Sequence, residues 1–411
     1  MQQQELLPHL FRTEYRKIVA VLCKLFGIEH IETAEDIVSD TFLLASETWG
    51  LKGLPENPTA WLYTVSKNKT IDFLKRNKLF KEKIALEIKH SSSLSQEIEI
   101  DLSKKNIEDS QLKMMFAICH PCISTEAQIG LSLNILCGFG AEEIADALLT
   151  AKEATYKRLA RAKEKLRSEM VKIELPEETE ISNRLETVLT TLYLLFSEGY
   201  YSTSQNTTLR KDLCIEAMRL NLMLTENEQT DTPVANALLS LMCFHSSRFD
   251  ARTDSNGEII LYEDQDTNLW NQELIRKGEF YLNRASTGTK LSKYHLEAAI
   301  AYWHTQKQDT HEKWENILQF YNKLLQLEYS PITALNRTYA LSKANGKKEA
   351  IRQAEKLNLS ENHLYHSLLG NLYTGENKTK AIQHLEIAFM LAKTNADKKL
   401  LATKIERLKN S

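Results

Sequence analysis

The sequence predicts an all-α protein built from several domains. Only 13 glycines and 7 prolines occur among its 411 residues, which is far below ordinary usage and argues against an all-β, collagenous or low-complexity chain. Apolar residues recur at helical spacing in three blocks, residues 6–80, 112–172 and 183–410, which polar or proline-containing breaks separate. A chain of this length has room for two to four domains of roughly 100–200 residues each.

Charge and composition exclude several classes of protein. Because 52 basic residues face 55 acidic ones, for a net charge of −3, binding to nucleic acid would depend on local basic patches. No window approaches the roughly 20 apolar residues of a membrane span, and the first residues do not resemble a secretory signal, so we expect a cytoplasmic protein with no membrane partner. Six scattered cysteines fit a reducing compartment. Nucleotide-binding, zinc-protease and hydrolase motifs are absent, so we expect no enzyme, catalytic residue, metal or cofactor.

The first block predicts two helices joined by the loop 50–57. The first helix begins near Thr33 and places an acidic stripe, Glu35, Asp36 and Asp40, beside an apolar one. The second runs from Pro58 to about residue 78, with Asn57 as its N-cap. Between residues 64 and 83, seven Lys and Arg residues face two acidic residues.

The second block has the spacing of a helix-turn-helix. A short amphipathic helix over 141–148 precedes a longer helix from 153 to about 171. At about 100° per residue, one face of the longer helix is suited to packing, and it comprises Thr155, Leu159, Ala162 and Leu166. A separate face is cationic, and it comprises Lys157, Arg158, Arg161 and Lys165.

These two basic patches favour an interaction with duplex DNA. A single cationic helix face is usually only a solvated face, but two patches on separate helical blocks of an acidic protein are better explained by phosphate contacts. In a helix-turn-helix, residues near the start of the second helix reach base edges in the major groove. Here those residues are Lys152, Thr155, Tyr156 and Arg158.

Three segments of the first block resemble region 2 of an extracytoplasmic-function (ECF) sigma factor of bacterial RNA polymerase. They are Ala34-Glu-Asp-Ile-Val-Ser-Asp-Thr-Phe42, Asn57-Pro-Thr-Ala-Trp-Leu62 and Lys67-Asn-Lys-Thr-Ile-Asp-Phe-Leu-Lys-Arg76. The second block resembles region 4. The resemblance implies a sigma factor that binds core RNA polymerase and directs promoter recognition and transcription initiation. It also implies region 2 over residues 1–82, an acidic linker over 83–110 and region 4 over 111–173.

The resemblance also implies roles for individual residues. Core polymerase, through its β′ clamp helices, would contact Glu35, Asp36, Val38, Asp40 and Phe42. The −10 element of promoter DNA would contact Trp61, Lys67, Asn68, Lys69 and Arg76. The −35 element would contact Lys152, Thr155, Tyr156, Lys157, Arg158, Arg161 and Lys165. Region 4 would also contact the β flap of the polymerase.

The third block, residues 183–411, resembles the long extension of one sigma-factor subgroup with a tetratricopeptide-like C-terminus. The resemblance rests on the segments 196–200, 248–252, 263–266 with Trp270, and 334–337. Independently, three pairs lie 34 residues apart, which is the tetratricopeptide period: Leu335 and Leu369, Asn336 and Gly370, Tyr339 and Tyr373. Grooves of helical solenoids bind peptides or proteins, so we expect a protein or peptide partner that modulates activity.

Two shorter segments of the sequence each allow two interpretations. Cys119-His-Pro-Cys122 is either a buried helix entry or a redox or metal switch. The turn at 254–257 predicts a hairpin or extended insert, whose acidic residues Glu258, Glu263, Asp264 and Asp266 are either structural or a cation site, although calcium-loop spacing is missing.

Two alternative functions also remain at this stage. One is a helix-turn-helix transcriptional regulator with a solenoid protein-interaction domain that never joins polymerase. The other is a tetratricopeptide adaptor whose basic helices are incidental. Region 2 discriminates among them, because a simple regulator has no use for a polymerase-docking stripe next to a base-capturing loop.

Overall fold

The computed structural model describes residues 3–76, 100–148, 150–201, 211–252, 260 and 262–410. These residues form 18 α-helices and short 3₁₀ and π turns without any strand, so the predicted all-α fold is confirmed. The chain divides into two compact units, Met1–Leu195 and Phe196–Ser411. Among the helices described, none is long and apolar enough to cross a membrane.

The N-terminal unit contains eight of the described helices, of which the last continues into the second unit. They are α1 (Gln3–Phe26), α2 (Ile31–Lys52), α3 (Pro58–Arg76), α4 (Lys104–Ile118), α5 (Thr125–Leu131), α6 (Ala141–Ala147), α7 (Lys152–Ser168) and α8 (Glu178–Tyr201).

Helix α1 forms the centre of the N-terminal unit. Its residues 18–23 are almost completely buried, and it packs against α2, α3 and α4. The contact with α4 includes a salt bridge in which Lys24 Nζ lies 2.6 Å from Asp109 Oδ2. The segments predicted as regions 2 and 4 therefore belong to one compact unit, although the sequence suggests two small domains joined by a linker.

The predicted linker, residues 83–110, is shorter in the structure at its C-terminal end. Helix α4 begins at Lys104, and the Ser103 side chain caps it by accepting a hydrogen bond from the Asn106 backbone N–H. Residues 104–110 are therefore helical, and residues 83–99 lie outside the described residues. Burial of Ile107 and Ser110 against the rest of the unit explains why a polar sequence is helical here.

The predicted helix boundaries in the first block are partly right. Asn57 is the N-cap of α3, since its Oδ1 accepts a hydrogen bond from the Ala60 N–H at 3.0 Å and Pro58 is the first helical residue. Thr33 is not an N-cap, because α2 begins at Ile31. A 3₁₀ turn over Ile28–His30 leads directly into α2, so this helix starts without a side-chain cap.

Two side-chain hydrogen bonds among the described residues help to attach helix α8 to the rest of the N-terminal unit. The Arg184 guanidinium donates to the Phe116 carbonyl at 2.6 Å, and the Cys119 thiol donates to Thr191 Oγ1 at 3.7 Å. The predicted start of the C-terminal domain at residue 183 therefore falls inside a helix that belongs largely to the first unit.

This attachment predicts where the chain can be shortened. A chain that ends at residue 182 loses Arg184 and the buried Val188 and Leu189. Complete burial of a valine or leucine side chain contributes about 1.5–3 kcal/mol to the free energy of unfolding. We expect it to unfold about 10 °C below a chain that ends at residue 201, as measured by circular dichroism. Equal melting temperatures would show that α8 does not stabilise the first unit.

Ten further helices of the described residues belong to the C-terminal unit. They are α9 (Lys211–Thr225), α10 (Pro233–Ser246), α11 (Gln272–Ala285), α12 (Lys293–Thr305), α13 (His311–Leu327), α14 (Pro331–Asn345), α15 (Lys347–Leu357), α16 (His363–Tyr373), α17 (Lys378–Leu391) and α18 (Asn395–Asn410).

The residues with the 34-residue spacing lie on α14 and α16. Each of these helices packs against the next one along the chain, α14 against α15 and α16 against α17. Gly370 allows the second pair to approach closely, because a Cβ there would lie 2.6 Å from Leu385 Cγ. The sequence period thus corresponds to successive helical hairpins.

The acidic loop before α11 is only partly described. The predicted turn at 254–257 and Glu258 lie outside the described residues. Residues 262–264 and 267–269 form 3₁₀ turns, and Asp266 caps the second of them by accepting from the Asn268 N–H at 2.9 Å. Glu263 accepts hydrogen bonds from Tyr339 and Lys343, so Glu263 and Asp266 have structural partners.

Four histidines make the stability of the C-terminal unit sensitive to acid. Burial lowers the pKa of His245, His295, His304 and His384, and that of His304 falls to about 3. Below about pH 6.5 the unfolded chain therefore binds more protons than the folded chain. The stability that these neutral rings contribute is complete above that pH, and it is lost as the pH falls towards their folded-state pKa values.

We therefore expect the free energy of unfolding to decrease from pH 6.5 to pH 4.5. Each such histidine contributes up to about 1.4 kcal/mol per pH unit. Urea titrations at several pH values, followed by tryptophan fluorescence, would measure the slope, and His304→Gln should make it shallower. An identical slope in that variant would contradict this account.

Candidate nucleic-acid interface

Helices α6 and α7 are joined by a tight turn that hydrogen bonds hold in place. The Thr150 N–H donates to the Ala145 carbonyl at 2.9 Å, and the hydroxyls of Thr150 and Thr155 lie 2.7 Å apart. At the start of α6, the Glu143 carboxylate accepts from the Gly140 N–H at 2.8 Å. The two helices thus keep a fixed orientation, which a DNA-reading helix requires.

The buried face of α7 is the one that the sequence predicts. Thr155, Leu159, Ala162 and Leu166 are all buried. Burial of Thr155 argues against its predicted contact with the −35 element, however. Thr155 is 2% exposed and its hydroxyl bonds to Thr150, so its side chain stabilises the turn.

The opposite face of α7 carries exposed cations. We name it the α7 cationic surface, and it comprises Tyr156, Lys157, Arg161 and Lys165. Within the described part of the chain, Lys157 and Arg161 form no salt bridge, whereas Lys165 pairs with Glu169. Arg158 is half-buried beside this surface, and Lys152 pairs with Glu142 at 3.2 Å. The uncompensated positive charge is suited to phosphate oxygens.

Two further cations of α7 point towards α2. Lys163 Nζ lies 3.1 Å from Glu35 Oε2, and an Arg167 nitrogen lies 3.3 Å from Glu32 Oε2. Glu35 is therefore engaged inside the N-terminal unit, which argues against its predicted place in the polymerase-docking stripe. The sequence did not distinguish these inward cations from the outward ones, because both kinds are basic.

Helix α2 presents an exposed face of mixed character. We name it the α2 acidic surface, and it comprises Asp36, Asp40, Leu43, Leu44 and Glu47. These positions follow helical spacing and therefore share one face. Leu43 is 60% exposed and Leu44 is 36% exposed. Their position on the same face as the acidic residues was the available signal, which the sequence analysis missed.

Two apolar residues predicted for docking are core residues instead. Val38 is completely buried, and Phe42 is 5% exposed with its ring edge-on to Phe11 at a centroid distance of 5.2 Å. They lie on the opposite side of α2 from Asp36 and Asp40, packed against other helices of the bundle. Their burial argues against the predicted polymerase contact, which stays a prediction.

Helix α3 buries a single stripe and exposes a polar one. The buried residues are Leu62, Ser66, Thr70 and Leu74. Asn68 and Arg76 are exposed, as are Thr64 and Lys75, which were not predicted as contacts. Lys67 and Lys69 are half-buried, and Lys69 Nζ lies 3.7 Å from Asp40 Oδ2. The exposed polar stripe of α3 thus adjoins the α2 acidic surface.

Trp61 lies at the margin of the bundle core. It is half-buried, and its ring packs edge-to-face on buried Trp49 at a centroid distance of 5.4 Å. Such pairs prefer this geometry and add about 0.5–1.5 kcal/mol to the packing. Trp61 therefore has a structural role in addition to the predicted contact with DNA.

The two cysteines of the Cys-His-Pro-Cys segment have different environments. Cys119 is buried, and burial raises the pKa of its thiol to about 11. Cys122 is partly exposed, and its backbone N–H donates to His120 Nδ1 at 3.2 Å. The thiolate is the reactive form of cysteine, and a raised pKa keeps Cys119 protonated at neutral pH. This favours a buried helix entry over a redox or metal switch. The residues that the structure describes contain no group of three metal-ligating side chains.

Comparison with known proteins connects these surfaces to one family. Residues 10–80, which span the two surfaces of α2 and α3, match the family described as Sigma-70 region 2. The chain belongs to the sigma-70 family. Members of this family are transcription initiation factors and not enzymes, as the missing catalytic motifs predict.

Two further comparisons with known proteins extend beyond residues 10–80 of this sigma-70 family chain. Residues 184–286 match a family of unknown function, DUF6596. An uncharacterized protein, R00370 of Rhizobium meliloti (strain 1021), is 31% identical over 350 residues, which cover 84% of this chain and 82% of that protein. No solved structure matches the chain.

Proposed function

We propose that the chain is an RNA polymerase sigma factor of the ECF type, active in the cytoplasm. Its N-terminal unit binds core RNA polymerase and promoter DNA, and its C-terminal unit, a tetratricopeptide-like extension, modulates activity. The observation that carries this proposal is the adjacency of the α2 acidic surface and the exposed polar stripe of α3, within the segment that matches Sigma-70 region 2.

The α2 acidic surface is the contact for the β′ clamp helices. Leu43 and Leu44 provide an apolar centre, and Asp36, Asp40 and Glu47 provide a charged margin. Interfaces of this composition combine apolar burial with electrostatic steering towards a basic partner. The proposal thus keeps Asp36 and Asp40 and replaces the buried Val38 and Phe42 with the two leucines.

Helix α3 is the site for the −10 element. Flipping a base out of the duplex costs a few kcal/mol, which polar edges and stacking surfaces must repay. Asn68 provides an exposed amide that can bond a base edge, and Arg76 with Lys67 provides charge for the phosphates. Trp61, which is half-buried on the same helix, is the nearby aromatic side chain.

The α7 cationic surface is the site for the −35 element. Lys157, Arg161 and Lys165 neutralise phosphates, and Tyr156, which is 55% exposed near the start of the helix, reaches the major groove. The β flap contacts the same segment of the chain from another side.

Copurification with core polymerase tests this proposal against the alternative of a helix-turn-helix regulator. We expect the purified chain to elute with core RNA polymerase in gel filtration in the absence of DNA. A regulator that uses only α6 and α7 would bind duplex DNA and elute apart from the polymerase. Elution apart from core polymerase would therefore reject the sigma-factor assignment.

A further inference from the structure

The C-terminal unit contains a groove to which the proposed function assigns no ligand. Its volume is about 740 Å³, and it lies between α14, α16 and α18. Leu364 and Leu400 line it and remain 43% and 39% exposed. Pockets of this size with apolar walls and a few polar groups are typical of ligand sites.

One wall of the groove already holds a carboxylate that belongs to the chain. Glu263 Oε1 accepts a hydrogen bond from the Tyr339 hydroxyl at 2.6 Å and lies 2.9 Å from Lys343 Nζ. These hydrogen bonds lower the pKa of Glu263. The groove is therefore built to stabilise a negatively charged side chain at this wall.

The segment that carries Glu263 is firmly anchored next to it. The Tyr262 hydroxyl donates to the His304 carbonyl at 2.9 Å, and buried Lys313 donates to the Tyr262 oxygen at 3.0 Å. Glu263 thus lines the groove as part of the fold, and the volume of about 740 Å³ is the space that the chain leaves open.

Two other lysines of the groove have only neutral acceptors among the described residues. Lys347 Nζ donates to the Thr374 carbonyl at 2.7 Å, and Lys404 Nζ donates to Asn371 Oδ1 at 3.3 Å. Burial lowers the pKa of Lys404, and the nearby charges of Glu263 and Asp264 oppose that shift without forming an ion pair with it among the described residues. A carboxylate from a ligand would supply that partner.

We propose that this groove binds an extended acidic segment of a partner protein, with carboxylates on Lys347 and Lys404 and apolar side chains against Leu364 and Leu400. Glu263 and Asp397 also line the groove, and they would repel the continuous charge of a nucleic-acid backbone. A peptide with spaced carboxylates avoids them. This inference rests on the proposed function in one respect, namely that the C-terminal unit binds a partner.

A labelled peptide tests the groove without polymerase or promoter DNA. The probe is fluorescein-labelled Ile-Leu-Tyr-Glu-Asp-Gln-Asp, which repeats the residues 260–266 of the chain, and the control is the neutral Ile-Leu-Tyr-Gln-Asn-Gln-Asn. We expect fluorescence anisotropy with the full-length chain to show binding of the acidic peptide at least about tenfold tighter than that of the neutral one, since charge-assisted hydrogen bonds carry the difference.

Variants locate the binding. The double variant Lys347→Gln with Lys404→Gln should bind the acidic peptide at least about tenfold more weakly. Lys348→Gln changes an exposed neighbouring lysine and should leave the affinity for that peptide unchanged. Glu263→Gln frees Lys343 and should tighten binding several-fold. Circular dichroism would confirm that each variant is folded.

Four results would overturn the inference. They are equal binding of both peptides, no binding of the acidic peptide up to about 1 mM, unchanged binding by the double lysine variant, and equally effective competition by a single-stranded oligonucleotide. The last would assign the groove to nucleic acid. Failure of the chain to elute with polymerase would reject the proposed function and leave a positive peptide result intact.

Discussion

Asp36→Lys combined with Asp40→Lys is expected to weaken binding to core RNA polymerase by at least about 30-fold. Both side chains are exposed on the α2 acidic surface, and the only salt bridge between them and other described residues is the 3.7 Å contact of Asp40 with Lys69. Reversing two charges that face a basic partner costs several kcal/mol through like-charge repulsion. The fold should persist, because exposed ion pairs contribute at most about 1 kcal/mol.

Titration of labelled core polymerase with each variant measures this effect. Glu228→Lys with Glu376→Lys makes the same change of charge on exposed positions of the C-terminal unit and should leave the affinity unchanged. Unchanged affinity for the Asp36 and Asp40 variant, with an unchanged melting temperature, would exclude the α2 acidic surface from the polymerase contact.

Leu43 provides an independent check of the same surface. It is 60% exposed, and burying a leucine at an interface contributes about 1.5–3 kcal/mol. Leu43→Ser should therefore weaken polymerase binding about tenfold or more without lowering the stability of the free chain. A structural role for α2 alone would leave polymerase binding intact.

The second large effect is expected on duplex DNA. Lys157→Glu with Arg161→Glu reverses two exposed cations of α7 that form no salt bridge within the described chain. Each neutralised phosphate contributes about one unit to the salt dependence of binding. We expect the double variant to lose detectable binding to a −35 duplex at physiological salt.

Binding of a labelled duplex over a range of salt concentrations tests this expectation. The conservative pair Lys157→Gln with Arg161→Gln should reduce the slope of log affinity against log salt by about two. Lys172→Glu, on an exposed residue beyond α7, is the matched control and should change neither quantity appreciably. An unchanged slope in the conservative pair would place the DNA contact elsewhere.

Local features of this fold could be predicted from the sequence, because they depend on helical periodicity. The buried face of α7, with Leu159, Ala162 and Leu166, follows from an angle of about 100° per residue. The cap of α3 follows from the Asn57-Pro58 pair. Both depend only on residues a few positions apart.

Other features could not be predicted, because they depend on distant contacts. Helix α2 has apolar residues on two faces, and the sequence does not tell which face is buried. The packing of Phe11 against Phe42 shows that Val38 and Phe42 lie in the core, whereas Leu43 is exposed to solvent. The salt bridge between Glu35 and Lys163 joins residues that lie far apart in sequence. The groove likewise unites Glu263 with Lys404, and no local pattern brings those residues together.

Run-off transcription with purified components is the most direct test of the central claim. Core RNA polymerase would be mixed with the full-length chain on fragments of genomic DNA, and the transcripts would be mapped. We predict transcripts that begin at discrete sites, require the chain, and disappear with the Asp36 and Asp40 variant. Identical transcripts with and without the chain, under conditions in which it is folded and binds duplex DNA, would contradict the claim that it directs initiation.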